Sequence, residues 1–192
     1  DYFLGQEFGK RVLKLADEST RLVTVLFPGA RFNETSRNWF RQGLQNTVQQ
    51  EQIRFDFRII RDDKGLNNAE DVIHDIVEGM VEQPDMIICL DEVITQSTCQ
   101  MIYDRGLSDR IKVIGSYVTD AILEGIEEGY IDSTITIDAE AMGRMSVEAL
   151  MTYLKYHMVS YYTEVDTMLV DRPLAAEYRR EVRDGETPVL EK

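Results

Sequence analysis

Apolar positions along the chain switch repeatedly between a period of about 3.6 and a period of 2, and each switch marks the border of an element. Residues 2–16 place Phe3, Leu4, Phe8, Val12 and Leu15 on one stripe, which predicts a helix. Arg21–Phe27 is a β-branched run closed by the turn signal Pro28-Gly29. Thr35 or Ser36 is expected to cap a helix reaching about Gln50, with Trp39, Phe40, Leu44 and Val48 facing inward. Residues 54–61 alternate like a strand that Asp62-Asp63-Lys64-Gly65 breaks. Asn68 is expected to cap the next helix, where Val72, Ile73, Ile76, Val77 and Met80 recur at helical spacing.

The second half repeats the theme. Asp85–Leu90 is short and continuously apolar, as strands buried on both faces of a parallel sheet are. A helix from about Val93 to Asp104 ends at Gly106, a residue suited to a left-handed C-terminal cap. Residues 111–117 read as a strand, 119–128 as a helix closed by Gly129, and 133–137 as a strand. The longest helix is expected over 139–157, with Met142, Met145, Val147, Leu150, Met151 and Leu154 apolar. Val165–Val170 reads as a last strand and 173–192 as a polar tail with some helical character. Regular alternation of strand and helix implies right-handed crossovers, so the fold class is α/β, a doubly wound parallel sheet flanked by helices.

Charge narrows the function classes. The 192 residues carry 21 Lys and Arg against 35 Asp and Glu, a formal charge of −14. Phosphate backbones are repelled by such a surface, which argues against direct nucleic-acid binding. The charge is uneven: residues 1–61 sum to +3, residues 62–151 to −15, and the remainder to −2. An acidic segment of that kind is either a solvated surface or a docking face for a basic partner. Cys89 and Cys99 are too few for a disulfide framework, and with two histidines at no metal-ligand spacing they make a zinc site improbable. No run is long and apolar enough for a membrane span, and no basic stretch followed by an apolar one opens the chain.

Candidate chemistry is sought just after each strand, because open α/β sheets bind ligands at the carboxyl ends of their strands. Those positions hold PGARFNETSRN after 21–27, Asp91-Glu92 after 85–90, Tyr117 after 111–116 and Asp138 after 133–137. FPGARFNE lacks the Gly-Lys-Ser/Thr of a phosphate loop, and no strand is followed by G-x-G-x-x-G. Asp62-Asp63 with Asp91 could form the acidic cluster of a phosphorylatable receiver. The strand order and the absence of a Lys at Ser116-Tyr117 oppose that reading. His74 lies mid-helix, His157 closes a helix, no G-x-S-x-G elbow exists, and Cys89 reads as an inert core thiol. No enzymatic activity is expected.

Several strings carry a family resemblance. DYFLGQEFGKRVLKL, SRNWFRQGLQ, and above all PDMIICLDEVITQSTCQMIYDRGLSDRIKVIGSY with AILEGIEEGYIDSTITIDAEAMGRMSVEALMTYL resemble the periplasmic-binding-protein type I family. That family includes sugar-binding proteins and the effector domains of lactose-repressor-like regulators. The resemblance implies a two-lobed clamp closing on a small solute without a cofactor or metal. Its expected divisions are a carboxy-terminal-type lobe over 1–138, a return helix over 139–157, a final strand region over 158–172 and the tail over 173–192. The family's first lobe is expected to be absent, so the stripe Met142, Met145, Met151 would need another bed, a second copy of the chain being one. By position, Arg37, Asn38, Asp91, Tyr117 and Asp138 are the implied ligand contacts.

The family's polar contacts are replaced by Leu90, Tyr117 and Ile137, whereas Asp91 and Glu92 are kept. A buried sugar hydroxyl needs a hydrogen-bond partner, so these replacements point to a solute less polar than a monosaccharide. The implied partners are a small, sugar-like solute, either a sugar or a less polar metabolite, and a membrane permease or receptor, in an extracytoplasmic setting. A non-binding sensory domain of the same fold remains an alternative. So does a cytoplasmic repressor effector domain, whose DNA-binding part would lie elsewhere.

Overall fold

Each apolar run does become a strand in the computed structural model, which describes all residues except 30–31, 50, 61–65, 79–81, 161–162, 164 and 185–192. The order is α1 (Tyr2–Leu15), β1 (Leu22–Pro28), α2 (Glu34–Val48), β2 (Arg54–Ile60), α3 (Leu66–Val77), β3 (Met86–Cys89) and α4 (Glu92–Arg105). It continues with β4 (Lys112–Ser116), α5 (Asp120–Glu128), β5 (Ser133–Ile137), α6 (Ala139–Tyr156), β6 (Thr167–Val170) and α7 (Arg172–Asp184). The six strands form one sheet in the order β2-β1-β3-β4-β5-β6. β1 to β5 are parallel. β6 is antiparallel to β5, pairing Ile135 with Leu169, so the sheet is mixed at one edge and not wholly parallel.

Both faces are covered. Phe8, Val12, Phe40 and Leu44 of α1 and α2 pack with Val23, Val25, Phe27, Met86, Ile88 and Ile114 on one side. On the other, Ile73, Ile76, Ile94, Ile102, Ile122, Ile126 and Ala175 pack with Leu26, Ile87, Cys89 and Val113. β1 and β3 are buried throughout, which explains why they read as continuous apolar runs.

α1 and α2 meet backbone to backbone. A Cβ on Gly5 would lie 2.2 Å from the Phe40 carbonyl oxygen, and one on Gly43 would lie 2.0 Å from that of Tyr2. This close approach decides which face of α2 turns inward. Phe40, Gly43, Leu44 and Val48 are buried, whereas Trp39, expected inside, is 52% exposed, as is Phe3 of α1 at 53%. Arg11 crosses from α1 to β5, its Nε donating to Ser133 Oγ at 2.7 Å and its guanidinium to the Asp132 carbonyl at 3.2 Å.

The caps settle several borders. Asn33, not Thr35 or Ser36, caps α2, its Oδ1 accepting from Ser36 N at 2.8 Å. Asn68 lies within α3, which begins at Leu66, so it does not cap that helix. Met80 and the breaker 62–65 lie outside the described residues. Gly106 and Gly129 end α4 and α5 at φ 59° and 89°, as their positions implied. The segment read as a polar tail with some helical character does hold a helix, α7, and that helix packs on the core. Ala175 is fully buried, Leu174 and Tyr178 pack on the core, and Arg179 pairs with Glu127 of α5 at 2.6 Å. No described residue of α6 is buried: Val147, Leu150, Met151 and Leu154 are each between 57% and 63% exposed.

Candidate functional site

The strand order reverses between β1 and β3, whose following segments leave in opposite directions, and the crevice at their carboxyl ends is the place where such sheets take ligands. Asp91, Tyr117 and Asp138 follow the adjacent strands β3, β4 and β5, so the sheet brings them to one rim. Arg37 and Asn38 lie in the first turns of α2, which follows β1 at the same end.

Three of the five make defined local hydrogen bonds through their side chains. Asp91 caps α4, its Oδ1 accepting from Val93 N at 2.9 Å, and its carbonyl accepts from Thr95 Oγ1 at 2.7 Å. Asp138 caps α6, with Oδ1 accepting from Ala141 N at 2.7 Å. Both carboxylates thus sit at helix N-termini, where the partial positive charge of unpaired N–H groups favours them. Arg37 is half-buried and donates from its guanidinium to the Phe32 carbonyl. Asn38 is exposed.

Tyr117 differs from the others. Its φ is 71°, the left-handed region that a tyrosine rarely occupies, and its side chain is 40% exposed. Neighbouring hydroxyls hold the turn. Thr134 Oγ1 donates to the Tyr117 carbonyl at 2.7 Å, Ser116 Oγ donates to the Cys89 carbonyl at 2.8 Å, and Ser116 N donates to Thr95 Oγ1 at 3.2 Å. β3, α4, β4 and β5 are thereby tied together directly beneath the rim.

The remaining wall is apolar or aromatic. Leu90 is almost fully buried and Ile137 is 45% exposed. Phe27 and Phe32 meet edge to face at 5.4 Å, and the Arg41 guanidinium lies 4.7 Å from the Phe57 ring and 5.8 Å from that of Phe27. Trp39 contacts Tyr2 edge to face at 6.3 Å on the outer side of α2. Sequence reasoning missed Arg41 and misplaced Trp39. The signal was Gly43, which puts residues 40, 43, 44 and 47 on the inner stripe and turns 39 out.

Burial holds both thiols in the protonated form. Cys89 is buried on β3 and its thiol is pushed up to about 12 by burial. Cys99, half-buried against Gly125, is pushed up to about 11 by burial and then by Glu128 and Glu124. Among the described residues no group of three His, Cys, Asp or Glu side chains could hold a metal ion, and no helix is long and apolar enough to cross a membrane. What the rim offers is two capping carboxylates, an aromatic ring in a strained turn and apolar surface.

A family model described as periplasmic binding protein domain matches residues 2–157. No curated protein sequence matches the chain. The glucose-galactose binding protein GanP from Geobacillus stearothermophilus superposes with a TM-score of 0.74 at 13% identity, over 90% of this chain and 60% of that one. A Caulobacter myo-inositol binding protein bound to myo-inositol gives 0.73 at 17% identity, over 93% and 60%. XylFII, in its complex with LytSN, gives 0.70 at 17% identity, over 90% and 60%. At such identities the likeness is one of fold, and the chain spans about 60% of the length of each of these structures.

Proposed function

The chain belongs to the periplasmic binding protein domain family, and from that membership we propose that its sheet forms the second lobe of a two-lobed clamp for a small, carbohydrate-like solute. The observation that carries this reading is Tyr117. A non-glycine residue in the left-handed region is strained, and such strain persists where the surrounding structure over-determines it, most often at binding and catalytic sites. It sits at the rim where the strand ends converge and presents a half-exposed ring.

A sugar or cyclitol has an apolar C–H face that stacks on such a ring, while its hydroxyls donate to carboxylates such as Asp91 and Asp138 and accept from Arg37 and Asn38. Leu90 and Ile137 leave fewer partners than a fully hydroxylated monosaccharide requires, which favours a deoxygenated or alkylated one. The acidic segment around the rim disfavours anionic solutes.

In this reading α6 is the return helix, and its exposed face is the surface on which a companion lobe closes. Closure then signals to a membrane permease or receptor from an extracytoplasmic site. The family is one of solute-binding proteins, and the lobe's role is capture without covalent chemistry. A second reading, a sensory domain working through protein contacts, draws support from XylFII, which is seen in complex with LytSN.

Thermal-shift measurements on the chain with neutral sugars, deoxysugars, cyclitols and sugar phosphates test the proposal. A solute at 100-fold its dissociation constant should stabilise the fold by about 2.7 kcal/mol. Tyr117→Ala should then weaken it about tenfold in a titration, and His74→Ala should leave it unchanged. If no solute class shifts the melting temperature, the sensory reading replaces this one.

A further inference from the structure

Among the described residues β2 ends the sheet, with β1 as its one strand neighbour. Along a strand, successive residues turn their backbone N–H and C=O to opposite sides. Arg54 N donates to the Arg21 carbonyl at 2.8 Å, and the Ile60 carbonyl accepts from Gly29 N at 2.7 Å. The even-numbered residues of β2 therefore face β1, and Phe55, Phe57 and Ile59 turn their backbone groups outward. Phe55 and Phe57 place their side chains in the α1–α2 core, stacked 5.9 Å apart. Asp56 and Arg58 alternate with them and form an ion pair at 2.7 Å. A groove of about 690 Å³ adjoins this edge, lined by Val48 and Phe55 together with Arg54, Asp56, Arg58 and Glu82.

An edge with outward N–H and C=O groups is a template for another strand, and natural edges are commonly blocked by proline or by charge. The charges of β2 do not block a copy of itself. We propose that β2 pairs antiparallel with β2 of a second copy of this chain, about a two-fold axis at Phe57. The outward backbone groups of Phe57 then exchange hydrogen bonds with those of the other Phe57, and those of Phe55 with those of the other Ile59. Asp56 falls opposite the other Arg58, and Arg58 opposite the other Asp56. These are the non-hydrogen-bonded positions, where facing side chains approach most closely.

Charge favours this register. An axis at Asp56 would set Asp56 against Asp56 and Arg54 against Arg58, and one at Arg58 would set Arg58 against Arg58. One at Phe55 would set Asp56 against Arg54, whose guanidinium is already held by Glu82, and would leave Arg58 opposite a residue before the start of the strand. An axis between residues would bring outward backbone groups against those already bonded to β1. The contact is isologous and closes at two chains, giving one sheet continuous across both. It lies at the opposite edge of the sheet from β6.

Sedimentation of the 192-residue chain tests this pairing. The wild type should run at twice its 22.2 kDa mass. Asp56→Arg and Arg58→Asp each put like charges at both cross-strand positions and should each weaken association at least about 100-fold. Mixing these two variants should restore the doubled mass, because the mixed pair sets Arg against Asp at every position. Leu150→Glu on α6 should leave the doubled mass unchanged. If circular dichroism shows a single reversal unfolded, the doubly reversed chain carries the test: it should pair with itself and fail to exchange with wild type. The proposal is overturned by a wild type that stays single at about 100 µM, where weak contacts already associate. Single reversals that remain paired, a mixture of folded variants that stays single, a doubly reversed chain that is single or exchanges with wild type, or loss of pairing in Leu150→Glu overturn it equally.

Discussion

Tyr117 occupies a backbone conformation that costs a side-chain-bearing residue about 1–2 kcal/mol, a cost glycine does not bear. Tyr117→Gly should therefore raise the unfolding free energy by about 1 kcal/mol in a urea melt, offset in part by greater chain entropy. The same variant should bind the solute more weakly, because the ring is gone. Stability gained with affinity lost is the signature of strain kept for binding; no change in affinity would leave the turn a purely structural one. Cys89 makes the opposite case, a reactive group made inert by burial. Its pKa is raised from 9.0 to about 12 in the folded chain, so ionisation is opposed by folding. The stability this represents is complete below pH 9 and is lost as the pH rises toward 12. Urea melts at increasing pH should show that decline, and Cys89→Ala should flatten it. Tyr117 and Asp138 were legible as positions because each directly follows a strand, and Asp91 because it lies two residues beyond one. Their second role was not: Asp91 and Asp138 also cap helices, and a cap depends on backbone geometry that spacing along the chain does not show.

Between elements, glycine is the deciding residue, and its effect reverses with context. Gly43 lets α2 touch the backbone of α1, so Gly43→Ala should destabilise the fold by about 3 kcal/mol through overpacking against an unyielding carbonyl. At Gly143, in the middle of α6, an added Cβ would meet nothing within 4 Å, and Gly143→Ala should instead favour that helix by about 1 kcal/mol. Urea denaturation and helix content by circular dichroism check the pair. α7 shows the limit of period-based reading. Its polar composition suggested a tail, but Leu174, Ala175 and Tyr178 form a narrow stripe that suffices to dock on α5 and the sheet. Only a few apolar side chains are needed when the receiving surface is already built.

For the molecule as a whole, the two ends of the sheet face different requirements. One edge carries β2 with its self-complementary charges; the opposite half carries α6, whose apolar face meets no packed bed within the described residues. Leu150→Glu with Leu154→Glu should change the unfolding free energy by no more than about 0.5 kcal/mol in urea, since neither side chain is in the core. Binding of a hydrophobic dye should fall in the same variant. A large loss of stability would mean that α6 folds back on the lobe. Alternation of apolar periods by itself determined the α/β class and nearly every element, because burial on a parallel sheet forces continuous apolar strands and one-sided helices. Tertiary structure alone decided that β6 runs antiparallel, that Trp39 faces out, that Tyr117 is left-handed and that β2, among the described residues, lies at the edge of the sheet. Those outcomes depend on which backbones approach and which remain unpaired, and a one-dimensional pattern of side chains records neither.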